Sequence, residues 1–330
     1  MKAHNQRDHT SSKFLKDRYG RVLNSLRLSI TQRCNLECFY CHREGEPNSE
    51  EEMTVEEISK IADIACQLGM KRVKLTGGEP LVREDILQIV TEISKKADEV
   101  SLTTNGVLLE RYAHPLFQAG LKRVNVSLPS TSPLHYQEVT GKDYVHQVKK
   151  GIKNASGSGL HPVKINMVLL KGININEVSE AIDFAQQVDS ILQIIEFQPI
   201  IPQNHSYWQR FHYDPLPIED WLKKESISVR ENILHKRKRY TLHRKGGTVE
   251  VEVVRPMHNS SFCRNCTRLR VTSDGKLKPC LLRNDNLVDI ISHVRRGATL
   301  NQLKEVFHTA INRREPYWKA QKKELVESHI

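Results

Sequence analysis

No apolar run in the 330 residues approaches the ~18 that a membrane helix needs, and the N-terminus carries no hydrophobic signal segment. Both absences lead to the expectation of a soluble, cytoplasmic protein with no membrane partner. That compartment is reducing, so the seven cysteines argue for metal sites and free thiols rather than disulfides. Aromatics make up only 6% of the chain, and the basic run His235-Lys236-Arg237-Lys238-Arg239 has no aromatic stacking platform. Nucleic acid is therefore not expected as a partner. The net charge of +11 by itself permits nucleic acid, an acidic membrane or a phosphorylated substrate, and does not choose among them.

What is present is organised around Cys34-Asn35-Leu36-Glu37-Cys38-Phe39-Tyr40-Cys41. This C-x3-C-x2-C run follows the alternating Leu26-Arg27-Leu28-Ser29-Ile30-Thr31, which reads as a strand. Such crowding suits an iron–sulfur cluster held by three thiolates of one loop, with one iron left open to an outside ligand. A zinc knuckle and reduced structural thiols are the alternatives; structural zinc usually takes four protein ligands, and only His42 is near. Cys66, at the edge of an apolar helical stripe, reads as a buried, inert thiol.

Residues 1–20 are polar and basic without periodicity and read as a mobile arm. A strand–loop–helix unit then recurs, with strands predicted over 25–31, 71–76, 99–104, 122–128, 162–170 and 191–198. Thr54-Val55-Glu56-Glu57 reads as a capping box opening a helix with Ile58, Ile61, Ala62, Ala65 and Leu68 on one face. Ile86, Ile89, Val90 and Ile93 mark the next helix. Six such units imply parallel strands with right-handed crossovers. One face of these strands is polar throughout (Arg27, Ser29 and Thr31; Lys74 and Thr76; Ser101 and Thr103; Asn125 and Ser127; Lys164 and Asn166), whereas an ordinary buried parallel strand is apolar on both faces. A sheet with helices on one side only curls, giving an α/β partial barrel around a polar, ligand-holding cavity.

Loops at strand ends carry further signals. Gly77-Gly78-Glu79-Pro80 offers close backbone approach, exposed amides and a carboxylate suited to an amino acid's zwitterionic end, though alone it is equally a βα turn with proline opening a helix. Thr103-Thr104-Asn105-Gly106 and Ser127 close the next two strands, and Tyr40 is a candidate neighbour for a nucleobase. From about 199 to 235 Trp208, Phe211 and Trp221 suggest packing between the barrel and a second module. Tyr240–His243 and Thr248–Val253 across Gly246-Gly247 read as a hairpin.

A second group, Cys263-Arg264-Asn265-Cys266 with Cys280, is returned to one place by a hairpin turning at Asp274-Gly275. Three thiolates again suit a cluster; a zinc ribbon would need His258 as a fourth ligand. Arg268 and Arg270 share a strand face. With Arg27, Lys74 and Lys164 they make five cations aimed at one region, which cannot stay buried and unpaired without a polyanion, most naturally a triphosphate.

In these motifs the chain resembles the radical S-adenosylmethionine (SAM) enzymes, and with two cysteine groups, the GGEP and TTNG loops and Cys266-Thr267-Arg268-Leu269-Arg270 it resembles their GTP 3′,8-cyclase family, from about Arg21 to Trp318. Cys41-His42-Arg43-Glu44-Gly45 and the Lys278–Asn286 segment are similar to archaeal members. The resemblance implies a partial (β/α)6 barrel over 21–235 and a C-terminal module over 236–330 that carries an auxiliary 4Fe–4S cluster and closes the barrel. It implies that Cys34, Cys38 and Cys41 hold one 4Fe–4S cluster and that Tyr40, Gly77, Gly78, Glu79 and Ser127 bind SAM. Arg27, Lys74, Thr103, Lys164, Arg268, Leu269 and Arg270 would bind GTP, with Arg268 and Arg270 catalytic, and Cys263, Cys266 and Cys280 would hold the cluster that meets the guanine. Partners implied are GTP, a small electron donor of ferredoxin or flavodoxin type, and cyclic pyranopterin monophosphate synthase as the receiver of the product; a homodimer stays open. The rival readings are another radical SAM enzyme with an auxiliary cluster, such as a peptide modifier, and a zinc-containing nucleic-acid-binding protein. Three departures stand out. Pro129 replaces the Asp that commonly follows Ser-Leu, Gln193 stands where many bacterial members carry a phosphate-binding arginine, and Glu327-Ser328-His329-Ile330 lacks their terminal double glycine.

Overall fold

The computed structural model describes residues 15–47, 49–198, 205–231, 237–256 and 260–316. The 235–236 junction, His258 and the tail after Lys319 lie outside the described residues. Within the segment read as an arm, Leu15–Lys16 (β1) pairs antiparallel with Val22–Leu23 (β2). Asp17 fastens this hairpin, accepting from the backbone amides of Tyr19 and Arg21 at 2.9 and 3.0 Å.

Six parallel strands follow in spatial order: Ser25–Ser29 (β3), Arg72–Thr76 (β4), Glu99–Thr104 (β5), Arg123–Ser127 (β6), Val163–Leu169 (β7) and Ile191–Glu196 (β8). They match the six predicted runs to within one or two residues at each end. Their crossover helices are Val55–Gln67 (α1), Ile86–Ser94 (α2), Leu109–Gln118 (α3), Pro133–Thr140 and Val145–Gly157 (α4 and α5), and Val178–Gln187 (α6). α1 opens on the capping box expected at Thr54 and Glu57, both halves of which form. Cys66 is buried on it, as read from its stripe.

The alternation of side chains on the strands does what the sequence required. Leu26, Leu28, Val73, Leu75, Val100, Leu102, Val124 and Val126 are sealed in the core, while Arg27, Lys74, Thr103, Asn125 and Lys164 share the other face. Registry aligns Arg27 with Lys74 and, further round, Thr103 with Asn125 and Asn125 with Lys164.

The C-terminal part extends both edges of this sheet. After His205–Phe211 (α7) and Leu216–Glu225 (α8), Ser226–Glu231 (β9), Lys238–Arg244 (β10) and Gly247–Val254 (β11) form a meander, with β11 parallel beside β8. The β10–β11 turn sits one residue earlier than expected: Arg244 pairs with Gly247, leaving Lys245-Gly246 as a two-residue loop. At the other edge, after the short helix Ser260–Arg264 (α9), Arg268–Val271 (β12) lies parallel beside β3, followed by Lys276–Lys278 (β13) and Val288–Asp289 (β14). Ile291–Arg295 (α10) and Leu300–Asn312 (α11) pack on α1. Of the three aromatics expected between barrel and second module, Trp221 packs there, its ring under the Arg244 guanidinium of β10. Phe211 instead joins Phe39, Tyr40, Leu170 and Phe197 in a satellite apolar cluster beneath the first cysteine loop.

Candidate active site

The first cysteine loop leaves the C-terminal end of β3. Phe39 anchors it against Phe211, ring centroids 4.8 Å apart, and the amides of Glu37 and Phe39 bond the carbonyls of Thr140 and Val139. Cys34, Cys38 and Cys41 are free thiols. Two of their sulfurs already receive donors: the Leu36 amide at 3.5 Å and the Asn105 side-chain amide at 3.9 Å for Cys34, the Arg43 amide at 3.4 Å for Cys41. Burial, then Cys41 and Cys34, push the Cys38 thiol up to about 12. Three crowded thiols of this kind ionise together only against a cationic partner, which is what the irons of a cluster supply. The donor set therefore fits a cluster bound through three thiolates.

The GGEP loop is seated directly on this loop. A Cβ at Gly78 would fall 2.3 Å from the Arg33 carbonyl oxygen and 2.6 Å from that of Gln32, so only glycine fits. Glu79 is fully buried and its carboxylate accepts from the Leu81 amide at 3.0 Å, the Thr104 hydroxyl at 2.7 Å and the Asn105 amide at 2.6 Å. Glu79 thus ties the GGEP turn to the TTNG turn, while the amides of Gly78 and Glu79 donate to the Thr31 and Arg33 carbonyls at 2.7 and 2.8 Å and seat the turn on the cysteine loop. Burial pushes its pKa up to about 7, against the three donors. Ser127 and Tyr40 are half-buried near the same end of the sheet.

The second group lies at the opposite end. Cys263 and Cys266 precede β12, whose first residue Arg268 is level with Ser25 at the start of β3, and the antiparallel β13 returns the chain toward Cys280. At ~3.3 Å per residue the two cysteine groups are separated by about 20 Å along the strands. Burial raises the Cys266 thiol, but Arg314, Arg268, the Arg268 amide and Arg270 bring it down to about 7.

Between the two ends stand the cations. Arg270, Arg27 and Lys74 occupy one row across β12, β3 and β4. They are not all unpaired, contrary to the sequence reading. Arg270 donates to Glu44 Oε2 at 2.6 Å and Arg27 lies 3.4 Å from Glu44 Oε1. Burial raises Glu44, yet Arg27, Arg270, His42 and the Thr76 hydroxyl hold it down at about 2. Lys164 Nζ donates to both oxygens of Glu252 at 2.8 and 2.7 Å, and Arg239 and Gln193 join the same carboxylate. Lys74 donates to Asn125 Oδ1 at 2.8 Å, and Arg268 lies over the Phe262 ring; neither has a carboxylate partner among the described residues. Burial, with Arg27, Arg123, Arg268 and Lys164, drives Lys74 well below its ordinary value. Arg268 is driven down by burial, Arg27 and Arg237. Thr103 lies on the cavity face and Leu269 in the core; Leu269 can therefore offer a ligand only its backbone.

Sequence reasoning missed Glu44 and Glu252 because each acid comes from a segment read for something else, a motif loop and a β-hairpin. The Val-Glu-Val-Glu alternation of β11 was the available signal for Glu252. It also missed the bridge from one end of the site to the other. Lys278 Nζ donates to the Gly45 carbonyl at 2.8 Å, and Ser273 donates through its amide and hydroxyl to Glu46 at 3.0 Å. A small cavity lined by Arg27, Ser29, Glu44, Thr76, Arg270 and Lys278 lies beside this bridge.

Known proteins resemble this chain over most of its length. Residues 28–185 match the family described as the Radical SAM superfamily, and residues 190–320 match Molybdenum Cofactor Synthesis C. A Thermococcus kodakarensis protein named "Probable GTP 3′,8-cyclase" is 48% identical over 92% of this chain and 100% of its own length. Similarly named proteins of Pyrococcus abyssi and Methanothermobacter thermautotrophicus are each 48% identical over 92% of this chain and 99% of theirs. Among solved structures, Streptococcus suis SuiB bound to S-adenosylmethionine aligns with TM-score 0.59 at 16% identity, over 83% of this chain and 63% of that one. A histidine-tagged anSMEcpe with bound AdoMet aligns with TM-score 0.56 at 17% identity, over 87% and 81%. At such identities these two share the fold. No helix among the described residues is long and apolar enough to cross a membrane. The chain belongs to the GTP 3′,8-cyclase family of the radical SAM superfamily.

Proposed function

We propose that the chain converts GTP to its 3′,8-cyclised form in molybdenum-cofactor biosynthesis, with Cys34, Cys38 and Cys41 holding the SAM-cleaving cluster and Cys263, Cys266 and Cys280 the second. The observation that carries this reading is the row of cations on the polar barrel face, flanked by a three-cysteine group at each end. When bound, the first cluster and SAM would supply the one-electron radical chemistry needed to activate the ribose 3′ position of GTP for bonding to C8 of the guanine.

The chain's own residues bind and orient. The GGEP turn would receive the methionine end of SAM, with Gly77 allowing close backbone approach, Gly78 holding the turn on the cysteine loop through its amide bond to the Thr31 carbonyl and Glu79 fixing it from below, and Tyr40 and Ser127 lie at the same barrel end. Of the five cations, Lys74 and Arg268 have no carboxylate among the described residues, and so are the first to gain from a triphosphate. Arg27 and Arg270 would exchange the Glu44 carboxylate for phosphate oxygens, while Lys164 stays braced by Glu252. Gln193, standing where bacterial members carry arginine, contributes to that brace, and Arg239 brings a guanidinium to the same carboxylate. Holding ribose and base in fixed register between the two clusters is chiefly a positioning task. A ferredoxin- or flavodoxin-type protein would supply the electron, and cyclic pyranopterin monophosphate synthase would take the product.

The test is anaerobic reconstitution, iron and sulfide counting, then incubation with dithionite, SAM and GTP. The expected result is about eight irons, 5′-deoxyadenosine and a cyclised nucleotide. Cys263→Ala should keep SAM cleavage and lose cyclisation. Zinc in place of iron, or no nucleotide product from an eight-iron protein, overturns the reading.

A further inference from the structure

Behind the Cys263–Cys266 turn lies a group of three charged side chains that no step above uses. Arg314, just past α11, is fully buried. Its Nη1 donates to Asp17 Oδ2 at 2.9 Å and its Nη2 to the Cys266 carbonyl at 2.8 Å. Arg21 donates through Nε to the same Asp17 oxygen at 2.7 Å and through Nη1 to the Cys263 carbonyl at 3.3 Å. Each guanidinium therefore holds one carbonyl of the Cys-x-x-Cys turn, and both are held by one carboxylate.

The charges do not balance. Among the described residues, two guanidinium groups face one carboxylate in side chains that are 7% exposed or less, and Arg21 Nη2 and Arg314 Nε are buried without a hydrogen-bond partner. A buried excess positive charge is costly unless an anion lies close by. A 4Fe–4S cluster bound by three thiolates is such an anion, and it gains further negative charge on reduction. Positive charge and N–H donors behind a cluster favour its reduced form.

We propose that Asp17, Arg21 and Arg314 are positioning residues for the second cluster, fixing the Cys263–Cys266 turn and placing a net positive charge that raises the cluster's reduction potential. This rests on the reading that Cys263, Cys266 and Cys280 hold an iron–sulfur cluster. It assigns a task to the β1–β2 hairpin and to the end of α11, elements from opposite ends of the described chain. A plain structural staple would leave the cluster's potential unmoved by the sign of the charge behind the turn; this arrangement makes the potential sign-dependent.

The experiment is an EPR-monitored potentiometric titration of the full chain, reconstituted anaerobically in a Cys34→Ala/Cys38→Ala/Cys41→Ala background so that the second cluster alone signals. Arg314→Met removes a positive charge and leaves Asp17 paired with Arg21; the potential is expected to fall. Asp17→Asn removes the negative charge at constant shape; the potential is expected to rise. Arg314→Lys, which keeps the charge, is expected to restore most of the parent value. Unmoved potentials, or shifts in the same direction for Arg314→Met and Asp17→Asn, overturn the proposal. If Arg314→Met does not fold, the Asp17→Asn shift decides alone, a rise supporting the proposal and any other result overturning it. Absence of iron from the parent background overturns the cluster reading and the proposal with it, whereas bound iron with unmoved potentials overturns the proposal only.

Discussion

Glu44 illustrates how a single residue alters the reading of a site. Five cations on one face implied a missing polyanion, and the structure answers for two of them with a carboxylate from the loop that follows the first cysteine group. Glu44 reaches them in a left-handed conformation, φ +53° directly after Arg43 at φ +46°, which costs a non-glycine residue about 1 kcal/mol or more. The two ion pairs and the Thr76 hydroxyl offset that cost. An ordering of variants follows. Lys74→Ala and Arg268→Ala remove cations that have no carboxylate among the described residues to give up, so each should weaken GTP binding about 10- to 100-fold, the worth of one charge-assisted hydrogen bond or two. Arg27→Ala should cost less, because part of what Arg27 gives the nucleotide it first withdraws from Glu44. Calorimetric titration with GTP under anaerobic conditions would measure this, and an Arg27→Ala loss exceeding the other two would contradict it.

Among elements, the strands were legible and the acids between them were not. Period-two alternation located all six barrel strands because a polar cavity face and an apolar helix-covered face impose opposite demands on neighbouring positions. The same logic placed Arg27, Lys74 and Lys164 on one face, and the hairpin signal placed Arg268 and Arg270 beside them. Asp17, Glu44, Glu252 and Arg314 were not found, since each makes at least one contact across 59 residues of sequence or more that no local pattern encodes. Seating of one loop on another is similarly invisible until packing is seen. Gly78→Ala should force the GGEP turn off the cysteine loop, because the new Cβ meets fixed carbonyl oxygens rather than a movable side chain. Iron counting of the reconstituted variant should fall toward about four, with the second cluster's signal kept; a full complement of iron would show that the loops part without harm. The β7–β8–β11 brace gives a pH signature. Burial raises Glu252, but Lys164 and Arg239 hold it down at about 2, from an ordinary 4.5. A lowered carboxylate contributes stability that is whole above pH 4.5 and lost as pH falls toward 2. Burial lowers Lys164 even as Glu252 raises it, so the pair yields less than the carboxylate's shift alone, about 3 kcal/mol at most. Glu252→Gln should melt lower at neutral pH and decline less steeply than the parent between pH 4.5 and 2, the remainder belonging to Glu44, which is lowered likewise, as thermal scans across that range would record.

At the scale of the whole molecule, the C-terminal segment does not sit beside the barrel as an appendage. β12 covers the β3 edge and β11 covers the β8 edge, so both open rims of a six-stranded parallel sheet are closed by residues that follow it in sequence. Leu269, Val271, Leu277, Leu303 and Phe307 belong to the same apolar core as Leu26, Val73 and Ile58. An unpaired parallel edge would expose a row of backbone donors and acceptors to other chains, and neither part can avoid that alone. The buried Asp17–Arg314 pair then ties the start of the described chain to its end. These features predict that a chain long enough for two folding units unfolds as one. Calorimetry of the metal-free protein should give a single transition with matching calorimetric and van't Hoff enthalpies, and a chain ending at residue 198 should be aggregation-prone rather than a soluble barrel. Two resolved transitions, with the first abolishing only the protection of β9 to β14 against hydrogen exchange, would mean that the edges are docked rather than shared.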